Sequence, residues 1–528
     1  MPTHRTRRRL AGLGVAGALV AAIAIPANPA SAEQAEISLG VYFGDTTIAA
    51  GSTGKIEGAI GYASSPVVLR DLTVRYDFAG LADTATVSPE SPSSCETPEP
   101  SVLICAYPWE VDLDEWGYGG IFPVIIEPAA DAKDGDEGTI KVSLSAAGFA
   151  PVSHEARVRV GEGVDLAAGP STERSAAPGK AFTAPLKVSN AGTTVAKGVT
   201  VIFYNDYGIR AGKKYRNCTY VGTELRTCHF ADDLAPGASY SATLAYQVAK
   251  DAFAPGFDYG EIGWMTPAEF EDFEAYLKSR GATVGEPGTG DELTLSEVGA
   301  SIAARGFQAD TEPDNNWSSL RLTVTGKNST DLEAIGAKVS GAAGDEVVAT
   351  VGFRNNGPAT LDHGRSGSSV TYLQIQIPTG TSAVTAPDNC SPIKGEDEWG
   401  GPGEAGGRTY RCYAGTFIKA GDEELMDFGL RIDKVVPDSA GDVKVNVPCQ
   451  CDGGFYADLK PANDVAKLVV NASGGQGDGG GQGDGGDGSE LPITGANAAL
   501  IAGVGGVLLA AGVAGFVLAR RRRTHFTV

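Results

Sequence analysis

The sequence predicts an all-β chain built of tandem antiparallel β-sandwiches, and three observations carry that prediction. Short runs alternate apolar and polar residues with the period of a half-buried strand, as in Ile56-Glu57-Gly58-Ala59-Ile60-Gly61-Tyr62. Turn residues interrupt these runs about every ten positions, and the 528 residues include 72 Gly and 29 Pro, too many for a helical protein. The order of strands and turns then recurs along the chain, with almost no helical periodicity between strands. Hydrophobic residues make up 42% and charged residues 20%, which excludes whole-chain disorder.

The repeats begin alike. Gly54-Lys55, Gly179-Lys180 and Gly344-Asp345 each lead into an alternating strand. A polar turn follows in the second and third repeats, Asn190-Ala191-Gly192 and Asn355-Asn356-Gly357, and then a β-rich strand, Val199–Tyr204 and Val370–Ile377. The same two repeats end alike, with Asp310-x-x-Pro313-x-Asn315 matching Asp458-x-x-Pro461-x-Asn463 before a last strand. The first repeat keeps Gly148-Phe149 and a strand at Ala156–Val160 but lacks the Pro/Asn ending. Boundaries near Asp165 and Asp331 give sandwiches at 33–164, 165–330 and 331–472. The second carries a helical insertion at 266–281. There Thr266 caps, Pro267 takes the first helical position, Glu269 completes a capping box and Gly281 ends the helix. Phe270, Phe273 and Leu277 form one stripe, expected to pack on the second sandwich; a binding loop is the functional alternative. The N-x-G turn and the D-x-x-P-x-N ending resemble the immunoglobulin-like repeat modules of bacterial surface proteins, among them the cell-adhesion-related domains found in bacteria. The resemblance implies an immunoglobulin-like fold and names no ligand.

The two ends carry sorting information. Residues 1–32 read as a secretory signal peptide. Arg5, Arg7, Arg8 and Arg9 precede the uncharged run Leu10–Ile25, and Ala30-Ser31-Ala32 fits a small-x-small site with cleavage before Glu33. Residues 473–490 are almost only Gly, Gln, Asp and Ser, a composition with nothing to bury, so a flexible linker is expected. Leu491, Pro492, Ile493, Thr494 and Gly495 follow. Residues 496–519 are 24 positions without a charge, long enough for a transmembrane helix, and 520–528 open with Arg520–Arg523, a basic cytoplasmic tail. Pentapeptide, apolar span and basic tail, in that order, resemble the L-P-x-T-G cell-wall sorting signal of Gram-positive surface proteins. That resemblance implies a sortase as partner, cleavage after Thr494, and covalent attachment to peptidoglycan. The membrane is then engaged only through the C-terminal helix, before cleavage.

Acids outnumber bases 65 to 42. Eight of the bases lie in the two ends, which hold no acid, so the body keeps 34 bases against 65 acids and repels a nucleic-acid backbone. All eight cysteines lie in the body: Cys95 with Cys105, Cys218 with Cys228, Cys390 with Cys412, and Cys449 with Cys451. An even count in an exported chain points to disulfides, and the first two pairs share a nine-residue gap. A bridge across the single residue between Cys449 and Cys451 would be strained, and zinc there lacks a nearby set of four ligands.

No P-loop, H-E-x-x-H, dinucleotide fingerprint or nucleophile elbow occurs, so no catalytic residue is expected. Asp362-His363-x-x-Ser366 has triad residue types, but sequence neighbours rarely form a triad, and a polar loop is the preferred reading. Tyr107, Trp109, Trp116 and Tyr118 surround Glu110, Asp112, Asp114 and Glu115, a mixture suited to sugar stacking or to calcium. Asp310, Glu312 and Asp314 beside Trp317 offer a second calcium candidate; a strand with an acidic turn and a repeat-closing turn are the plainer readings. No cofactor is otherwise implied. The function expected is a non-enzymatic surface protein that serves as stalk or ligand-presenting ectodomain for an unidentified extracellular ligand. The alternative is a glycan-binding module or hydrolase centred on residues 107–118.

Overall fold

Val, Ile, Thr and aromatic residues dominate the alternating runs, and these residues pack well on a pleated, half-buried surface. In the computed structural model they form strands throughout. The described residues are 37–107, 109–113, 117–279, 281–297, 308–395, 398–447 and 457–472. The signal peptide, linker, pentapeptide, apolar span and basic tail lie outside them, as do Cys449 and Cys451. From Ser38 onward the described chain belongs to one compact unit.

One topology occurs three times. In the first sandwich, one sheet orders Leu39–Tyr42, Lys55–Ala63, Tyr118–Pro128 and Ala85–Pro89. The facing sheet orders Thr46–Ala49, Val152–Val164, Glu137–Ser145, Thr73–Asp77, Val102–Ala106 and Cys95–Glu99. The chain therefore enters on one sheet, pairing antiparallel with Lys55–Ala63. It then switches sheets, so that Thr46–Ala49 runs parallel to the last strand. The second sandwich repeats this with Leu166–Ala168 against Ala181–Asn190 and Thr172–Ala176 parallel to Trp317–Asn328. The third repeats it with Thr330–Ile335 against Glu346–Pro358 and Ala337–Val339 parallel to Val465–Val470. The protein is all-β, with tandem antiparallel immunoglobulin-like sandwiches. Among the described residues parallel pairing occurs at the short switched strands, at one contact between the first two sandwiches and at the bridge Ala252–Thr360 between the second and third.

Each sandwich buries the inner faces of its sheets. Tyr76, Phe43 and Ile48 are fully buried in the first, Trp264 and Tyr246 lie in the core of the second, and Phe353, Tyr410 and Phe428 in that of the third. Among the described residues one α-helix, α1 (Pro267–Ser279), interrupts the strands. Glu269 accepts the Thr266 backbone N–H at 3.0 Å while Thr266 Oγ1 accepts the Glu269 N–H at 3.3 Å, a reciprocal capping box. At the other end Gly281 has φ 64°, and the Ala282 N–H reaches Leu277 O at 2.8 Å. Phe270, Phe273 and Leu277 pack on Ile202, Tyr204 and Met265, the outer face of a second-sandwich sheet. The opposite, polar face of α1 meets the first sandwich, a contact the apolar stripe does not announce. Among the described residues no helix is long and apolar enough to cross a membrane.

Candidate functional site

The three described cysteine pairs occupy one place in the fold. Cys95–Cys105, Cys218–Cys228 and Cys390–Cys412 are disulfides, each between directly opposed residues of the same hairpin of the larger sheet; in the second sandwich the short strand Glu286–Pro287 pairs outside it. The Cα separations are 4.0, 3.9 and 4.0 Å, close to the spacing of a non-hydrogen-bonded antiparallel pair. The third bridge closes 22 residues rather than 10, because its hairpin carries a longer tip.

The two repeated motifs are pins rather than ligand sites. Asn190 is fully buried; its Nδ2 donates to Thr194 O at 2.7 Å and Leu234 O at 2.9 Å, and its Oδ1 accepts the Gly192 N–H at 3.1 Å. Asn355 does the same in the third sandwich, toward Ala359 O, Ile418 O and the Gly357 N–H, with Thr330 Oγ1 donating as well. The repeat-closing Asp residues tie the last strand to the first. Asp310 Oδ2 accepts the Leu166 N–H at 2.7 Å and Oδ1 the Glu312 N–H at 2.8 Å. Asp458 accepts the Leu332 N–H at 2.7 Å and the Lys460 N–H at 2.6 Å. Asn315 reaches Asp165, and Asn463 reaches Asp331, each at 3.0 Å. Burial, against these accepted hydrogen bonds, pushes Asp310 up to about 6. Its oxygens are thus committed to backbone donors, while Glu312 and Asp314 face outward beside a half-exposed Trp317. Among the described residues no group of three or more His, Cys, Asp or Glu is arranged to hold a metal ion.

The cluster near 107–118 is only partly described. Tyr107 packs against Phe122 at 4.2 Å between ring centroids and Trp109 at 5.5 Å, and Trp109 is 63% exposed. Glu110 accepts Arg70 Nε at 2.7 Å, both side chains largely exposed. Asp112 is exposed on the short strand Val111–Leu113. Asp114, Glu115 and Trp116 lie outside the described residues. The Asp362–Ser366 loop brings no triad together. Asp362 accepts the Tyr207 N–H at 3.0 Å, His363 Nδ1 lies 3.2 Å from Ser369 O, and Ser366 Oγ donates to His363 O. This loop meets the second sandwich, where Arg365 pairs with Asp206 at 3.0 Å and Glu261 at 2.8 Å. Burial, then the neighbouring Asp206 and Asp362 charges, push Asp258 beside this joint up to about 7.

A set of buried ionisable groups lies where α1 meets the first sandwich. Lys55 from the strand Lys55–Ala63 pairs with Glu269. Arg159 from the strand Val152–Val164 pairs with Asp272, reaches Glu271 at 3.3 Å and donates to Ala268 O at 3.3 Å. Thr47 Oγ1 donates to Asp272 Oδ2 at 2.6 Å, and the Asp310 N–H reaches Glu269 at 3.0 Å. The side chains that pair across this contact are 112 to 225 residues apart, so no local pattern marks them. Gln308–Asp310 then adds a short parallel strand to Glu162–Val164, continuing the joint through the backbone.

No protein-family model matches the chain, and no curated protein sequence matches it. Among solved structures it is similar to an I-band fragment of titin, at 7% identity and TM-score 0.15 over 82% of this chain and 98% of that one. It is also similar to a Corynebacterium diphtheriae protein named for an inferred membrane anchor, at 10% identity and TM-score 0.18 over 83% of this chain and 95% of that one. An Escherichia coli alpha-2-macroglobulin activated by porcine elastase matches at 10% identity and TM-score 0.14, over 83% of this chain and 33% of that one. At these scores the fold is established by this chain's own strand pairing.

Proposed function

We propose that the chain is a non-enzymatic, exported surface protein whose three sandwiches form a stiff ectodomain, anchored covalently to peptidoglycan at Thr494. The observation that carries the reading is repetition: one topology, with one cross-strand disulfide at one place, three times in series. A spacer that displays a surface gains from such repetition, and disulfides belong to an oxidising compartment. Buried polar contacts join each sandwich to the next; Asp272 and Asp362 serve such contacts and Glu110 a surface ion pair.

The termini supply the anchoring chemistry. After cleavage before Glu33, the apolar span and arginines hold the chain at the outer membrane face and present Leu491–Gly495. Pro492 fixes φ and bends the segment, Leu491 offers an apolar contact, and Ile493 takes the variable position. A sortase cysteine attacks the Thr494 carbonyl, the Thr494–Gly495 bond breaks, and residues 495–528 leave as an amine. An amine of the wall precursor then displaces the thiol, leaving an amide at Thr494. The chain is the substrate and contributes no catalytic residue. Fractionation of cells expressing the native chain and Thr494→Ala tests this. Native protein should be recovered in the wall fraction and the variant in membrane or medium; equal recovery of both in the wall overturns it.

A further inference from the structure

We propose that the ectodomain is a load-bearing tether whose sandwiches resist end-to-end traction by shear, with the third as the element that yields first. The use made of this device rests on the anchoring at Thr494 proposed above; its mechanics do not. The path of the load has almost no slack. The last strand of the first sandwich, Val152–Val164, is followed after the single residue Asp165 by Leu166–Ala168. Trp317–Asn328 is followed in the same way by Thr330–Ile335, with Ser329 alone between them. The second sandwich also grips the strand that enters it. Thr311 donates its N–H to Val164 O at 2.8 Å, Ala191 donates its N–H to Asp165 O at 2.7 Å, and Gln308–Asp310 pairs parallel with Glu162–Val164. Traction on one sandwich therefore passes directly into the strands of the next.

Within each sandwich the strand direction decides how load meets hydrogen bonds. The switched strand near the start and the last strand run parallel in all three. In a parallel pair the N-terminal end of one strand and the C-terminal end of the other lie at opposite ends. Pulling the two termini apart therefore slides one strand along the other, and the rungs, which bridge the two strands, share the load. An antiparallel hairpin pulled at its adjacent ends behaves differently, because its rungs open one at a time.

The three clamps are unequal. Thr46–Ala49 meets Val158–Gly161 in four facing pairs; all four of its residues are buried, and Thr47 is tied to Asp272 of α1. Thr172–Ala176 meets Leu320–Val324 in five. Ala337–Val339 meets Leu468–Val470 in three, extended by the Asn471 N–H to Val339 O at 2.9 Å, and none of its three residues is buried. Backbone hydrogen bonds open to water give way more easily than enclosed ones. The third sandwich is also next to the anchor, so it carries the load whichever sandwich holds a ligand. Under tension it lengthens while the outer two stay folded, and its disulfide limits the travel. The chain from Ala337 to Val470, less the 22 steps closed by Cys390–Cys412, extends by about 39 nm at ~3.5 Å per residue.

Single-molecule pulling of the full chain in detergent, held by its two ends with dithiothreitol present, tests this. Cys105, Cys218, Cys228, Cys390 and Cys412 are almost fully buried, so the reductant reaches a bridge only once its sandwich has unfolded. Each reduction then adds a step, about 8 nm for the 22-residue loop and about 3.5 nm for either 10-residue loop. The earliest unfolding should be the one followed by the longer step. In a second geometry a handle on Pro437→Cys, in an exposed turn, is pulled against the C-terminal end. Ser439 and Val470 are opposed, so this peels Val465–Val470 from Ser439–Lys444 rung by rung. The third sandwich should then open at about one third of its end-to-end force, one rung replacing three. Equal forces in the two geometries overturn the shear clamp, and a shorter step after the earliest unfolding overturns the order. Should Pro437→Cys weaken the chain when it is pulled end to end, the order of steps in the native chain alone decides. Fractionation of Thr494→Ala judges the anchoring separately, since neither pulling geometry depends on it.

Discussion

Asn355→Ala removes the centre of a buried pin and should cost the third sandwich far more than a turn residue ordinarily does. Asn355 is fully buried and serves four groups: Ala359 O at 2.9 Å, Ile418 O at 3.3 Å, the Gly357 N–H at 2.9 Å and the Thr330 hydroxyl. Alanine fills part of the volume but satisfies none of them. An orphaned buried polar group costs about 1–3 kcal/mol, and the bond of 3.3 Å is the weakest of the set, so a total of about 3–5 kcal/mol is expected. For a sandwich of this size about 1 kcal/mol lowers the midpoint by roughly 3 °C, which predicts a fall of about 10 °C or more. Calorimetry of the purified chain reads the shift, and exchange of the strand Glu423–Ile432 assigns the moving transition to the third sandwich. Asn190→Ala should reproduce the effect in the second sandwich, where the same three backbone partners recur. A fall below about 3 °C for both variants would show that these asparagines are ordinary turn residues.

Other outcomes follow from the same geometry. Non-reducing peptide mapping of exported protein should recover all three described disulfides. Replacing both cysteines of a pair should cost about 3 kcal/mol for either 10-residue loop and slightly more for the 22-residue loop of Cys390–Cys412; free thiols at these six positions would contradict the fold. Asp258, pushed up to about 7 by burial and by Asp206 and Asp362, makes the second-to-third joint lose stability as pH rises from about 4 to about 7. Asp258→Asn should remove that dependence from the exchange of Ala254–Met265, and an unchanged slope in the variant would assign it elsewhere.

Much of the architecture was legible because its signals are local. Alternation in Glu346–Phe353 marks a strand, and Thr266-x-x-Glu269 marks where α1 begins, since each depends on residues within one element. The N-x-G and D-x-x-P signals were legible only as turns. That Asn355 reaches a carbonyl 63 residues away, and that Asp458 holds a strand 126 residues earlier, depends on tertiary closure. Lys55, Arg159 and Asp272 were invisible as a group for the same reason. Each is an ordinary charged residue in its own segment, and only the sheets and α1 bring them together. The 107–118 residues drew notice because aromatic and acidic types are crowded in sequence. In space Tyr107 packs on Phe122 as well as on Trp109, and Glu110 turns to Arg70, while Asp114, Glu115 and Trp116 lie outside the described residues.

The central claim is that this chain is a wall-anchored display protein, and its mature termini test that claim most directly. Wall protein released by muramidase, digested and analysed by mass spectrometry, should begin at Glu33. Its C-terminal peptide should end at Thr494 in amide linkage to a peptidoglycan fragment, with nothing recovered from residues 495–528. A native C-terminal peptide that still runs to Val528 would contradict the account.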